Sequence, residues 1–339
     1  MNRIKYLELF EKIDKKSFEE EYIKTLFSIK KDIKDSKKYK KLKTSWENLI
    51  SKYSGFSKLK QYELKDLFIA PYEELVEILA DCNFAINNSL IKEIENKKIF
   101  NYEGKYHKIQ DFFNKYTNDL ELWRCPYCDS AFTGFYEYNE KKKSIYDLDH
   151  FFPKSLYPFF ALSLYNFVPS CQYCNERVKK AEVIQINKNN KSNLLKCSPV
   201  SQKYNFKEMV TIRFLPKISK SENKYEIWHY SPLSQKTAEI YKLSFDTDNN
   251  SHNKQIINLF QLEERYNSQA IKMNGLYLID LRKRYPRSHI EKICKLLNNQ
   301  KTTTSNSIIP ATEEQIENDI FHNDNKYSLL QKMKNDLLE

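Results

Sequence analysis

Glycine is nearly missing from this 339-residue chain: Gly55, Gly104, Gly134 and Gly275 are all it has. Neither a G-x-G-x-x-G turn nor a Walker-type phosphate loop can be written from them, which excludes the glycine-rich nucleotide cradles. Arginine is scarce as well, at eight of 56 basic residues. The formal charge of +11 therefore rests on lysine. It suits a polyanionic partner without demanding one, since Lys-, Asn- and Ile-rich usage accounts for part of it. Long apolar runs are absent too. The longest, Pro158 to Pro169, is interrupted by Ser163 and Asn166 and falls far short of the roughly 20 residues of a membrane helix. Met1 to Lys16 carries a charge every two or three residues, unlike the apolar core of a secretory signal. The expectation is a soluble, cytoplasmic protein with no membrane partner.

What is present is a large apolar complement. Hydrophobic residues make up 40% of the chain, with 24 Tyr and 21 Phe, enough for a packed core and against disorder. The length suits about two domains. Residues 1–118 read as helical: Leu7, Phe10, Ile13 and Phe18, then Tyr22, Leu26 and Ile29, recur near the helical period. The lysine run from Lys30 to Lys43 reads as a solvated helix face. Residues 119–190 change pattern, with a hairpin over Phe135–Tyr138 and Ser144–Leu148 around a polar turn at 139–143, an extended run Tyr165–Val168, and a helix from Gln172 to Val183. Residues 191–300 read as strands (Met209–Phe214, Tyr225–Trp228) followed by helices, packing on the preceding segment. Residues 301–339 read as a linker and a C-terminal helix. The fold class expected is α+β, mostly α.

Seven cysteines are present. Four form two pairs, Cys125-Pro126-Tyr127-Cys128 and Cys171-Gln172-Tyr173-Cys174, while Cys82, Cys197 and Cys294 stand alone. In a reducing compartment two CxxC pairs point to a structural zinc site rather than to disulfides. Between the pairs lies Asp147-Leu148-Asp149-His150-Phe151-Phe152-Pro153-Lys154-Ser155. Asn166 precedes Val168-Pro169, and Asn175 follows the last cysteine. Hydrolysis of a phosphodiester needs a base for water, a cation to neutralise the phosphate and stabilisation of the departing oxygen. A neutral His serves as base near pH 7 if its tautomer is held. A carboxylate and a carboxamide supply hard oxygens for magnesium or manganese.

Asp149-His150-x-x-Pro153, Asn166 and Cys171-x-x-Cys174-Asn175, flanked by the cysteine pairs, resemble the HNH endonucleases, whose ββα-metal fold is a pair of strands followed by a helix. The resemblance is strongest over residues 120–185 and implies an HNH core within 119–190, inserted between helical regions. It makes His150 the general base, Asp149 and Asn175 the ligands of a catalytic Mg or Mn ion, and Asn166 the residue that orients the base; the two Asn roles are open to exchange. It implies hydrolysis of DNA, with RNA as the alternative substrate. Some relatives work beside a separate ATPase in antiphage defence, which makes such a subunit a candidate partner. Each HNH centre cuts one strand, so double-strand cleavage would call for an oligomer or a second encounter.

Lys154, Arg177, Lys179 and Lys180 are the basic groups nearest this set, and the last three share a helix with Asn175, which makes them the candidate nucleic-acid contacts. Arg282 to Arg287, the only Arg cluster, could contact DNA, RNA or an acidic protein. The aromatic residues Phe151, Phe152, Tyr157, Phe159 and Phe160 read as core around the motif. Two other readings stand beside the nuclease: a noncatalytic zinc-ribbon module that binds nucleic acid, and a subunit silent until a partner assembles around it.

Overall fold

A computed structural model describes residues 3–29, 36–53, 57–81, 88–180, 191–216, 241–247, 252–299, 312–321 and 329–338. The chain divides into two compact units, one of residues 1–209 and 248–260, the other of residues 210–247 and 261–339. The architecture is α+β and mostly helical, with two-stranded antiparallel sheets among the described residues. No helix among them is long and apolar enough to cross a membrane. The strand expected at Tyr225–Trp228 and the linker at 301–311 lie outside the described residues, as does Cys82.

Among the described residues the first unit opens with helices α1 (Tyr6–Phe10), α2 (Lys15–Phe27), α3 (Lys37–Ile50), α4 (Ser57–Gln61), α5 (Leu64–Ile69), α6 (Tyr72–Asp81), α7 (Asn88–Lys97) and α8 (Tyr106–Lys115). Their ends follow capping chemistry. The Asp14 carboxylate accepts from the Ser17 amide at 2.8 Å, and Ser36 caps α3 by accepting from the Tyr39 amide, each satisfying an amide that helix geometry leaves open. α2 buries Phe18, Tyr22, Ile23, Leu26 and Phe27, one stripe at helical spacing. These rings meet Phe112 and Tyr116 at centroid distances of 4.8–5.2 Å.

The helices enclose the segment between Phe151 and Asn166. Tyr22 donates to the Leu162 carbonyl at 2.9 Å, Ser163 donates to the Leu67 carbonyl at 2.8 Å, and the Tyr72 ring stacks on Phe152. Phe151, Phe152, Tyr157, Phe159 and Phe160 are all buried, as core residues should be.

The hairpin differs from the expectation at its second strand. β1 (Phe135–Tyr138) pairs with β2 (Lys141–Ser144) around a two-residue turn, Asn139-Glu140, with φ of 49° and 59°. That is the left-handed pair a tight hairpin requires. The chain then leaves this ladder, and β3 (Asp147–His150) pairs with β4 (Phe167–Ser170), His150 facing Phe167 and Asp147 facing Ser170. The reason is burial: Lys141 to Lys143 are exposed whereas Leu148 to His150 are buried, so one continuous strand could not serve both surroundings. After β4 the chain turns into a π-helical segment, Tyr173–Lys179.

The second unit pairs β5 (Thr211–Pro216) with β6 (Tyr241–Asp246); β6 is an unexpected strand, although Tyr241, Leu243 and Phe245 alternate with polar residues and are buried. Its helices include Gln269–Arg284, Arg287–Asn299, Glu313–Phe321 and Gln331–Leu338, and Leu278, Ile290, Ile316, Phe321 and Leu338 form a core. Within the Arg cluster, Arg282 pairs with Glu317 at 2.7 Å and Arg284 pairs with Asp280, so two of its charges are already answered inside the unit.

Candidate metal centre and active cleft

The cysteine pairs converge. Cys125, Cys128, Cys171 and Cys174 are buried, and their sulfur atoms all lie within 4.8 Å of one another. Sγ of Cys128 and Cys171 are 3.9 Å apart, far beyond a disulfide bond. The spacing is close to the sulfur–sulfur edge of about 3.8 Å in a tetrahedron of roughly 2.3 Å metal–sulfur bonds. Two tight turns aim the sulfurs: the Asp129 amide bonds the Cys125 carbonyl at 2.9 Å, and the Asn175 amide bonds the Cys171 carbonyl at 3.1 Å. The Cys171 amide also points at the Cys125 sulfur at 3.4 Å, the kind of contact that favours thiolate. Without a cation, burial pushes the Cys125 thiol well up, since a thiolate there would have no compensating charge. The tetrad is positioned to hold a metal, and its donor chemistry fits one.

Beside the tetrad, β3 and the π-helical segment run along each other in two rungs. Asp147 and Asp149 are two residues apart, about 6.6 Å along a strand. Asn175 and Lys179 are four apart on the helix, about one turn. Asn175 Nδ2 meets Asp147 Oδ2 at 3.5 Å, and Lys179 Nζ meets Asp149 Oδ1 at 2.9 Å. Closure from the Lys180 amide to the Asn175 carbonyl, five residues back at 2.9 Å, is the wide π-type turn, which recurs at functional sites.

These rungs separate the two carboxylates. Asp149 is 2% exposed; its Oδ2 accepts from the Tyr127 hydroxyl at 2.6 Å and its Oδ1 from Lys179. Lys179 is 1% exposed and also donates to the His150 carbonyl at 2.8 Å. Lys179 is therefore not open to a phosphate, contrary to the expectation: a buried carboxylate holds its ammonium inside, because neither charge can be left unpaired there. Tyr127 lies between the two cysteines of the first pair, so the turn that builds the metal centre also anchors Asp149.

His150, at the end of β3, is buried. Its Nε2 lies 3.0 Å from the Ala161 carbonyl, and its ring meets Tyr102 edge-on at 4.5 Å. A carbonyl oxygen only accepts, so Nε2 carries the hydrogen and the neutral ring keeps its lone pair on Nδ1. Burial pushes the His150 pKa down to about 4, with Lys154 and Lys179 adding to the effect against the Ala161 carbonyl and Asp149. Asn166 is fully buried and does not line the cleft: its Oδ1 accepts from the Phe152 amide at 2.8 Å, and its Nδ2 donates to the carbonyls of Phe152 and Phe160. It clamps the loop that follows His150.

Around His150 opens a cleft of about 360 Å³, lined among others by Tyr102, Asp147, Asp149, Lys154, Asn175, Glu176 and Lys180. Lys154 stands over the Tyr102 ring at 4.6 Å and pairs with Glu103. That pairing holds the Glu103 carboxyl below its usual range. Burial raises the Asp147 carboxyl, with Glu176 and Asp149 adding to it and Asn175 opposing. Arg177 is exposed and is not among the cleft residues. Sequence reasoning missed Asp147, although strand alternation with Asp149 was there to be read, and it missed Tyr127, Tyr102 and Glu103. For Tyr102 and Glu103 no local pattern existed, since a helical segment brings them in from outside the motif.

No family model, curated protein or solved structure matches the chain.

Proposed function

We propose that the chain is a metal-dependent endonuclease of the HNH class that hydrolyses phosphodiester bonds in DNA, with zinc in the cysteine tetrad. One observation carries the reading: a buried, tautomer-fixed histidine shares an open cleft with a carboxylate–carboxamide pair and two lysines, directly on the cysteine centre. A noncatalytic zinc module needs only the tetrad.

In this reading Asn175 and Asp147 hold the catalytic ion. The fit rests on donor chemistry, since both offer hard oxygen atoms facing one cleft, and on the crowding of Asp147 with Glu176, which a cation would relieve. Asp149 fits that role poorly, because both its oxygens are engaged and an ammonium already lies 2.9 Å away, where it would repel a second cation. When bound, magnesium or manganese would supply neutralisation of phosphate charge and of the departing oxygen. The chain's own groups do the rest. His150, neutral at pH 7, takes the proton of the attacking water at Nδ1 while Ala161 and Asn166 hold its orientation. Lys154 and Lys180 steady the phosphodiester. As the new P–O bond forms, the bond to the 3′ oxygen breaks and that oxygen takes a proton from solvent water, leaving 5′-phosphate and 3′-hydroxyl ends. With no phosphate loop in the sequence, any ATP-driven step of an antiphage assembly belongs to a partner subunit.

Plasmid cleavage with Mg²⁺ tests the reading. His150→Ala lowers the rate by roughly 10²–10⁴-fold while cysteine-bound metal, measured by elemental analysis, stays at the wild-type level. Cleavage by this variant at the wild-type rate would overturn it.

A further inference from the structure

The β1–β2 hairpin exposes what a soluble protein usually covers. Tyr136 is 54% and Tyr138 62% exposed. With side chains alternating across a strand and the register Tyr136↔Lys143, Tyr138↔Lys141, these two rings and two lysines share one face. The other face is the attached one: Lys142 stands over the Phe135 ring at 4.2 Å, and Ser144 donates to Asn114 of α8 at 3.1 Å. Glu137 pairs in register with Lys142 on that attached face, so the outward face carries lysine as its only charge apart from Glu140 at the turn.

We infer that the outward face of this hairpin binds single-stranded nucleic acid, seating bases on Tyr136 and Tyr138 and phosphates on Lys141 and Lys143. Two rings about 6.6 Å apart along a strand offer separate platforms for bases, and stacking on exposed tyrosine needs no particular base. Lysine neighbours supply the backbone contacts that make such binding salt-dependent. Strand addition by a second copy fits less well, because β2 presents three successive lysines, a common guard against edge pairing. The face is also tethered close to the cleft. Only Ile145 and Tyr146 separate Ser144 from Asp147, a reach of at most about 10 Å. From Lys143 to His150 the chain runs seven residues, at most about 25 Å, so a strand held on the hairpin can extend to the cleft. The inference rests on the nuclease reading for that consequence, though not for binding itself.

The test uses the full chain without added divalent ion, so that nothing is cut, and a fluorescein-labelled 20-nucleotide oligo-dT read by anisotropy, with oligo-U and a duplex as further arms. Tyr136→Ser with Tyr138→Ser should weaken oligo-dT binding about tenfold or more. Lys141→Gln with Lys143→Gln should lower the slope of log affinity against log salt by about 1.4. Both pairs should leave the melting temperature unchanged, since the replaced side chains are exposed. A parallel loss on oligo-U makes the face a reader of either single strand. Unchanged oligo-dT affinity in both pairs overturns the inference, as does a loss confined to the duplex, or concentration-dependent dimers that disappear with the tyrosines. Wild-type cleavage with unimpaired hairpin variants would sink the hairpin alone; wild-type protein that binds no nucleic acid would sink the nuclease reading with it.

Discussion

Asp147 and Asp149 are chemically identical and two positions apart, yet their surroundings give them different work. Asp149 is an ion-pair centre, accepting from Tyr127 and Lys179 with both side chains of the pair almost fully buried. Asp147 meets the carboxamide of Asn175 at the cleft. Removing one member of a buried pair costs about 3–5 kcal/mol, because the survivor is left charged in a low-dielectric interior. Asp149→Asn should therefore lower the melting temperature markedly and leave Mn²⁺ affinity, read from the free-ion electron paramagnetic resonance signal, close to wild type. Asp147→Asn should do the reverse, weakening Mn²⁺ by about tenfold or more at unchanged stability. The opposite pattern would return the ligand role to Asp149. The four cysteines were legible as a set from their spacing. Which of the two aspartates is locked in an ion pair was not, because it depends on where Lys179 lands.

At the scale of elements, β3, β4 and the π-helical segment hang on the cysteine tetrad. Cys171 directly follows β4, Cys174 lies inside the segment that carries Asn175 and Lys179, and Tyr127 reaches from the opposite pair to β3. Binding of a metal to such a site is worth about 10–16 kcal/mol in small peptides, enough to govern this much local order. Stripping the metal with a strong chelator should accelerate hydrogen exchange at the amides of residues 125–129 and 167–179, whereas β5 and β6 should keep their protection. Equal acceleration in all of them would argue against a local staple. The sequence showed this knuckle, strand and helix order, and the β1 strand, because cysteine spacing and strand alternation are local. It did not show that Ser144 ends one ladder and Asp147 begins another, since both lie in a run of strand-forming residues and only burial tells them apart.

For the molecule as a whole, pH sensitivity follows from histidines that fold uncharged. Burial lowers the pKa of both His150 and His252 to about 4, and the His252 Nε2 donates to Asn205 Oδ1 at 3.1 Å. Between pH 6.5 and 4 the unfolded chain takes up protons at these positions that the folded chain refuses, so stability falls as pH falls through that window. The melting temperature should drop between about pH 7 and 5, and His252→Gln should remove part of the drop, separating it from acid release of the metal. A wild-type melting temperature that is flat over this range would contradict the assignment. Composition and periodicity by themselves determined a mostly helical α+β chain without a glycine phosphate loop and with two cysteine pairs placed to hold a metal, since these depend on residue type and near-neighbour spacing. The tertiary structure alone decided that Lys179 turns inward onto Asp149 and leaves Asp147 to Asn175, and that Tyr102 comes from the helical region to wall the cleft. Those placements are settled by burial and charge pairing between segments far apart in sequence, which no local pattern encodes.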